Sequence, residues 1–264
     1  MTKSSPNPEW QADLYHRVST PHRRWGASVL DAIAFRGDER VLDAGCGTGA
    51  QTAQILEKIP RGHAIALDAS SAMLEVARRE LARFGERVTF VQATLAVDSL
   101  PARIDVVFSN ATFHWVPDHA ALFHSIHAAL VPGGRLHAQC GGAGNLRRTR
   151  ALLDEATRGE RYVEFFEGMQ PPWFFAGVAE TTEHLEAAGF AEVEVWLEDA
   201  RTPFPDVAAY MEFVRVVILG AFLPRLPEPL RTPFVAEIAG RAALDDPALT
   251  LDYVRLNIRA TKRG

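Results

Sequence analysis

A chain of 264 residues can bury one sizeable core and carry one further sub-domain. Hydrophobic residues make up 47% and charged residues 23%, the balance of an ordinary globular protein, and no apolar run reaches the roughly 20 residues that span a membrane. The formal net charge of −5 argues against a partner bound through its phosphates. We therefore expect a small-molecule ligand, with no nucleic-acid and no membrane partner.

The cysteine content and the N-terminus indicate a cytoplasmic protein. Two cysteines, Cys46 and Cys140, are too few for a disulfide framework and suit a reducing compartment. Residues 1–10 are polar and lack the apolar stretch of a secretory signal. We expect a monomer or a homodimer.

The first 35 residues predict an N-terminal helical lid, residues 1–35, which Pro21 divides into two pieces. Its apolar stripe consists of Trp10, Leu14, Val18, Trp25, Val29 and Ile33.

Residues 36–146 alternate short apolar runs with helical patterns, which predicts βαβ units with a parallel sheet and helices on both faces. The predicted strands are 40–43, 64–68, 88–92, 104–109 and 134–139, and the predicted helices are 49–59, 71–84 and 119–130. This segment is the expected cofactor-binding core.

Residues 147–264 are expected to complete the sheet around a helical cap at about 205–245. The predicted helices are 147–168, 182–188, 205–223 and 233–243, and the predicted strands are 191–197 and 251–260. Two late strands separated by about 50 residues of helix indicate a sheet edge with a helical insertion.

A glycine loop follows the first strand of the core. The run Val41 to Gly49 leads an apolar strand into Gly45, Gly47 and Gly49, which open a helix, and Asp68 ends the next strand. Such glycines allow a close backbone approach to a ligand, and a carboxylate in this place accepts ribose hydroxyls. The pattern predicts an adenosine-type cofactor. It also fits a dinucleotide fingerprint, so a nicotinamide-dependent oxidoreductase and a non-catalytic cofactor-binding module remain alternatives.

Four motifs in order, between residues 10 and 142, resemble the class I S-adenosylmethionine-dependent methyltransferases. They are Asp43-Ala-Gly45-Cys-Gly47-Thr-Gly49, then Leu67-Asp68 with Ser71-Ala-Met73-Leu74, then Ser109-Asn110-Ala-Thr-Phe113-His114-Trp115, and Leu130-Val-Pro132-Gly133-Gly134-Arg135-Leu136. Within this family the chain looks most like the trans-aconitate 2-methyltransferase group. The resemblance implies a Rossmann-like α/β fold: a seven-stranded, mostly parallel sheet with its last strand antiparallel between the fifth and sixth, plus a helical cap insertion.

The resemblance also implies S-adenosylmethionine as the cofactor and a set of residues that bind it. These are Tyr15, Asp43, Gly45, Cys46, Gly47, Gly49, Asp68, Ala69, Met73, Ala93, Thr94, Leu95, Asn110 and Ala111. The chain departs from the family after the third strand, where many members carry an acidic residue near the adenine. Thr94 occupies this place, so a side-chain hydroxyl or a backbone group has to serve.

The acceptor is expected at the carboxyl ends of the strands. His114 is the candidate catalytic residue, either as a general base or as a pocket residue that packs and hydrogen-bonds. The candidate substrate-binding residues are Trp115, Trp173, Phe174, Tyr210 and Arg215, and Arg147 with Arg148 form a candidate anion site. We expect no metal, because no cysteine or carboxylate joins His119, His124 and His127.

The sequence thus predicts a methyltransferase that acts on a small and possibly acidic molecule. Methylation of a carboxylate or another oxygen is favoured, and N- or C-methylation of a secondary metabolite is the alternative within the same class.

Overall fold

The computed structural model describes residues 20–264, with side chains from residue 24 onward. Helix α1 (Thr20–Asp31) holds Pro21 in its first turn, where a missing N–H costs no hydrogen bond. The predicted stripe residues Trp10, Leu14 and Val18 lie outside the described residues, as does Tyr15.

Seven strands form one sheet. They are β1 (Arg40–Ala44), β2 (His63–Asp68), β3 (Val88–Gln92), β4 (Ile104–Asn110), β5 (Leu130–Gly141), β6 (Phe190–Asp199) and β9 (Val254–Lys262). Their order in the sheet is β3-β2-β1-β4-β5-β9-β6. Strands β1 to β5 pair in parallel, whereas β9 runs antiparallel to β5, with Gly141 opposite Arg255. The predicted sheet, with its last strand inserted antiparallel, is confirmed.

The helices of the sheet unit cover both of its faces. They are α1, α2 (Ala50–Lys58), α3 (Ser71–Glu80), α4 (His119–Ala129) and α7 (Val178–Ala187), with short 3₁₀ turns at Ala82–Arg87 and Phe113–Trp115. The largest apolar core lies beneath α4 and α7 and includes Leu122, Leu185 and Ile258. A second core includes Leu30 of α1, Ile55 of α2 and Phe108 of β4. Residues 20–143, 173–198 and 255–264 make up this unit.

The remaining described residues, 144–172 and 199–254, form a second compact unit. It contains helices α5 (Arg147–Arg158), α6 (Val163–Phe166), α8 (Val207–Phe213) and α9 (Glu228–Ala242), and a two-stranded sheet of β7 (Thr202–Pro203) and β8 (Thr250–Leu251). Helix α9 packs against α5 and α8, and its Phe234 contacts Tyr162 and Phe166. The segment 205–245 predicted as a cap lies inside this unit.

Two predicted helices were too long. The helix expected over 147–168 ends at Arg158, because Gly159 takes an extended backbone with a ψ of 143°. The helix expected over 205–223 keeps α-helical bonds only to Phe213 and widens into a π-helix at Val214–Ile218. Helical periodicity alone distinguishes neither a break nor a π-turn.

Two further boundaries were wrong. The strand expected over 251–260 is two strands, β8 and β9, because the backbone and side chain of Asp252 between them bond to Leu146 and Arg148 at the start of α5. The helix expected over 233–243 begins earlier, at Glu228, with Pro233 inside it. A proline inside a helix forgoes one backbone bond, and proline more commonly marks the start of a helix, as the sequence pattern indicates here.

No helix among residues 20–264 combines the length and the apolar character needed to cross a membrane.

Candidate functional site

The three glycines of the loop after β1 have different surroundings. All adopt positive φ, at 87° for Gly45, 53° for Gly47 and 83° for Gly49. A Cβ on Gly45 would lie 2.1 Å from Oγ1 of Thr112, and one on Gly49 would lie 3.0 Å from Leu81 of the 3₁₀ turn region. A Cβ on Gly47 would meet nothing within 4 Å. Gly45 and Gly49 therefore serve close packing, and the open side at Gly47 is where a ligand can approach the backbone.

Asp68, at the end of β2, holds the glycine loop in place. Its Oδ2 accepts the N–H of Gly47 at 2.9 Å, and its Oδ1 accepts the N–H of Ser70 at 2.9 Å. Burial raises the pKa of Asp68, while these backbone bonds oppose the shift. Each carboxylate oxygen can accept a second hydrogen bond, so the pair of oxygens can bind the two neighbouring hydroxyls of a ribose.

Asp43, at the end of β1, is 1% exposed and accepts the hydroxyl of Thr52 at 2.6 Å. Burial raises its pKa to about 7, the Thr52 hydrogen bond lowers it, and the charge of Asp68 raises it further. Since a nearby cation favours the ionised form of a carboxyl group, a ligand with cationic groups would lower both pKa values.

Cys46 and Met73 support the loop through packing. Both are buried, and Cys46 lies in a small cluster with Ala66 and Leu74. Burial raises the pKa of the Cys46 thiol well above its usual value, so the thiol is inert. The N–H of Met73 donates to the Ser70 side chain, which caps α3.

The turn after β3 contains an acidic residue that sequence reasoning missed. The N–H of Ala93 donates to the carbonyl of Asp68, and the side chains of Ala93 and Leu95 are buried. The N–H of Thr94 donates to Oδ2 of Asp98 at 2.6 Å, so this amide is already engaged. Asp98 brings a carboxylate to the place where the motif has none, four residues further along the chain.

The turn after β4 lies against the glycine loop. Ala111 has a φ of 59°, a strained value for alanine, and its N–H donates to the carbonyl of Gln139 on β5. This turn directs Thr112 onto the carbonyl of Gly45 at 3.3 Å. Asn110, 7% exposed, donates its side-chain amide to Gln51 of α2 at 3.3 Å.

Helix α1 approaches this turn through a glycine. A Cβ on Gly26 would lie 1.2 Å from Nε2 of Gln51 and 2.8 Å from Nδ2 of Asn110. Gly26 and Gln51 were not predicted as site residues, although a glycine inside a helical pattern is itself a signal of a close approach.

His114 is buried beside the end of β5, with a relative exposure of 9%. The N–H of Gly141 donates to its Nδ1 at 3.2 Å. An accepting Nδ1 carries no proton, so the neutral ring carries its proton on Nε2. The ring also contacts Trp115 and Phe175, at centroid distances of 5.3 Å and 5.8 Å.

Three of the predicted substrate residues lie in the sheet unit with His114. Trp115 and Trp173 are 6.0 Å apart, and Trp173 stacks on Phe175 at 5.9 Å. Phe174 instead turns inward, where its ring meets His119 edge-on at 4.8 Å. The aromatic group beside His114 therefore consists of Trp115, Trp173 and Phe175.

Tyr210 and Arg215 lie in the second unit. Tyr210 is 1% exposed, its hydroxyl bonds to Thr149, and burial raises its pKa to about 12. Arg215 is exposed on the π-helix. Within the described part of the chain, no group of three histidine, cysteine or acidic side chains could hold a metal ion.

Comparison with known proteins gives consistent results. Residues 41–134 match the family model described as a methyltransferase domain. The trans-aconitate 2-methyltransferase of Variovorax paradoxus (strain S110) is 30% identical over 97% of this chain and 99% of its own length. That of Acidovorax sp. (strain JS42) is 30% identical over 86% of each chain.

Solved structures share the fold at lower identity. A phosphoethanolamine N-methyltransferase 2 of Haemonchus contortus, in complex with phosphomonomethylethanolamine and S-adenosylhomocysteine, superposes with a TM-score of 0.63 at 19% identity. The match covers 96% of this chain and 57% of that one. The YcgJ protein of Bacillus subtilis gives a TM-score of 0.63 at 18% identity, covering 92% and 99% of the two chains.

Proposed function

Because this chain belongs to the class I S-adenosylmethionine-dependent methyltransferases, in the trans-aconitate 2-methyltransferase group, we propose that it methylates a carboxylate oxygen of a small acid. The enzyme class and the cofactor follow from the family, which removes the nicotinamide-dependent and the non-catalytic alternatives. The acceptor atom and the residue roles below are the proposal.

The residues at the ends of β1 and β2 fit the cofactor. The open side of Gly47 admits a ligand to the loop backbone, and the two oxygens of Asp68 accept ribose hydroxyls in addition to their backbone bonds. The sulfonium and ammonium groups of S-adenosylmethionine would favour the ionised forms of Asp43 and Asp68, whose charges would in turn stabilise the cofactor. Asn110 and Ala111 border the same loop through Thr112.

Asp98 takes the role that the motif leaves open. Its Oδ2 is fixed by the Thr94 amide, and a carboxylate held in this turn can accept the adenine amino group. Ala93 and Leu95, both buried, would flank the adenine ring. Thr94 contributes through its backbone N–H, which holds the Asp98 carboxylate in place.

The bond from Gly141 to His114 is the observation that carries the choice of acceptor. With the proton on Nε2, the neutral imidazole is a hydrogen-bond donor and a poor general base. When bound, S-adenosylmethionine supplies an electrophilic methyl group, which a carboxylate oxygen takes in an in-line displacement that releases no proton. His114 then orients the carboxylate by donating from Nε2, and the rings of Trp115, Trp173 and Phe175 keep water away.

N- or C-methylation would require this site to accept a proton as well. An ammonium group or a carbon acid has to lose a proton before or during the transfer, and a donor at Nε2 does not accept it. The tautomer therefore favours oxygen methylation of an acceptor that is already ionised at neutral pH.

A product assay tests the proposal. The protein is incubated with labelled S-adenosylmethionine and a set of di- and tricarboxylates that includes trans-aconitate, and the products are identified by mass spectrometry. We expect a monomethyl ester that alkali hydrolyses. A product whose methyl group resists alkali, or transfer only to amines, would show that the acceptor is wrong.

Variants of His114 test the donor role. His114→Gln offers both an acceptor for Gly141 and a donor, so it should retain a larger share of kcat than His114→Phe, which offers neither. The rate of the wild type should not fall as the pH decreases from 8 to 6, since a protonated imidazole still donates. A rate that falls with a single protonation near the usual histidine pKa of about 6.5, and does so only when His114 is present, would assign it as a base instead.

A further inference from the structure

The second compact unit contains a cavity of about 420 Å³ at the start of α5, within the size range of small-molecule sites. Its walls come from the loop before α5, the corner between β6 and β7, and the segment around β8. The lining residues are Gly144, Arg147, Arg148, Asp199, Arg201, Pro247, Thr250, Asp252, Tyr253 and Val254.

Arg148, one half of the anion site expected from the sequence, is already engaged. Its guanidinium pairs with Asp245 at 2.9 Å and also donates to the carbonyl of Asp246. Its backbone N–H donates to Oδ2 of Asp252 at 2.9 Å, so the first turn of α5 is capped from within the protein. Neither Arg148 nor the helix N-terminus is therefore the feature that would attract a ligand.

Arg147 and Arg201 differ from Arg148 in this respect. Across residues 24–264, no side chain forms an ion pair or hydrogen bond with either guanidinium, although other arginines in this acidic protein, such as Arg83 and Arg241, pair with glutamates. Asp199 lies in the same wall and pairs with neither of them. Two cations and one anion around this cavity thus form no ion pair with any side chain from residue 24 onward.

The backbones that carry the two arginines are fixed to the same short segment. The N–H of Leu146, before Arg147, donates to the carbonyl of Asp252 at 2.9 Å, and the N–H of Ala200, before Arg201, donates to the carbonyl of Tyr253 at 2.8 Å. Leu146 adopts a φ of 53°, a left-handed conformation that costs a side-chain-bearing residue energy and turns the chain sharply into α5. Because both backbones are held in place, the distance between the two guanidinium groups changes only when their side chains change rotamer.

We propose that this cavity binds a small polyanion that carries at least two carboxylate or phosphate groups, one for each of Arg147 and Arg201. The planar guanidinium binds either group through two parallel hydrogen bonds, and a ligand with two anionic groups engages both arginines at once. Every residue that lines this cavity belongs to the second unit, whereas the residues assigned above to methyl transfer belong to the sheet unit.

Calorimetric titration at low ionic strength tests the proposal, with citrate, pyrophosphate and acetate as probes. Citrate or pyrophosphate should bind to the wild type and acetate much more weakly, because acetate reaches only one guanidinium. Arg147→Gln and Arg201→Gln should each weaken the binding about tenfold, and the double variant should show no binding. Arg158→Gln is the matched control, since Arg158 is exposed at the other end of α5, and it should bind as the wild type does.

The outcomes separate the two ligand chemistries and the two proposals. Binding of citrate alone assigns a polycarboxylate site, and binding of pyrophosphate alone assigns a polyphosphate site. Absence of binding to the wild type, or unchanged binding in the double variant, overturns the inference. An unchanged S-adenosylmethionine affinity confirms that the double variant is folded, and the ester assay on the wild type reports separately on the proposed function.

Discussion

Asp43 shows how one residue can link the site to the stability of the fold. The side chain is buried, accepts the Thr52 hydroxyl and lies near the carboxylate of Asp68, and its pKa is raised to about 7. In the unfolded chain the same group titrates at about 3.9. Between these values the native state holds a proton that the unfolded state has released, so the free energy of unfolding falls as the pH rises through this window.

Replacement of Asp43 by asparagine should remove this dependence. Asparagine can still accept the Thr52 hydroxyl but does not ionise, so Asp43→Asn should gain stability relative to the wild type between about pH 4 and pH 7, by at most about 1.4 kcal/mol per pH unit. Urea unfolding at several pH values measures this difference. Glu186→Gln, an exposed carboxylate in the same unit, is the control, and parallel curves for the wild type and Asp43→Asn would contradict the prediction.

Local geometry could be predicted at the residue scale where consecutive residues determine it. The strand end at Asp68 and the positive φ angles of the three glycines follow from a short stretch of sequence. The bond that holds Asp98 and the tautomer of His114 could not be predicted, because each depends on a backbone bond whose partner the motif does not contain. In the case of His114, the partner Gly141 lies 27 residues away on another strand.

At the scale of elements, the glycine loop connects β1 to α2 and packs against α3, and its glycines have different surroundings. Gly49 lets the start of α2 lie against Ala77 and Leu81, whereas Gly47 faces open space. The consensus pattern treats the glycines alike, but the structure separates a glycine that is packed from one that faces open space.

Alanine substitutions should separate these two roles. Both variants carry the cost of a left-handed alanine, about 1 kcal/mol. Gly49→Ala adds contacts of 3.0 and 3.2 Å to Leu81 and Ala77, so it should lose more stability, whereas Gly47→Ala should lose mainly S-adenosylmethionine affinity, by tenfold or more. Urea unfolding of the free protein and calorimetric titration with the cofactor measure the two effects. Equal losses of affinity in both variants would show that Gly47 does not face the cofactor.

The boundaries of the five parallel strands could be predicted from the sequence, whereas those of the helices in the second unit and the division between β8 and β9 could not. The parallel strands were placed within a few residues because each is an apolar run between turns. The break at Gly159 and the π-helix at Val214–Ile218 depend on packing within that unit, around Phe166 and Phe222, which the periodicity does not contain.

At the scale of the whole molecule, sequence order and compact units do not coincide. The sheet unit takes its first five strands from residues 40–141 and its last strand from residues 254–262, with the second unit supplied by two segments in between. The sequence predicted the late strands but not that residues 144–172 group with 199–254. That grouping depends on contacts between α5 and α9, which are distant in the sequence.

Strand β9 makes the stability of the sheet unit depend on residues 254–262. It lies between β5 and β6, and its Ile258, 1% exposed, belongs to the core beneath α4 and α7, although no proposed cofactor residue follows Ala111. Ile258→Ala should therefore destabilise the sheet unit by about 2–5 kcal/mol, the usual cost of a cavity in a core. S-adenosylmethionine affinity measured well below the unfolding transition should stay within about twofold, since the loop residues are untouched, and Arg263→Ala, an exposed neighbour, should change neither property. A drop in affinity without a drop in stability would mean that β9 acts on the site directly through its pairing with β5.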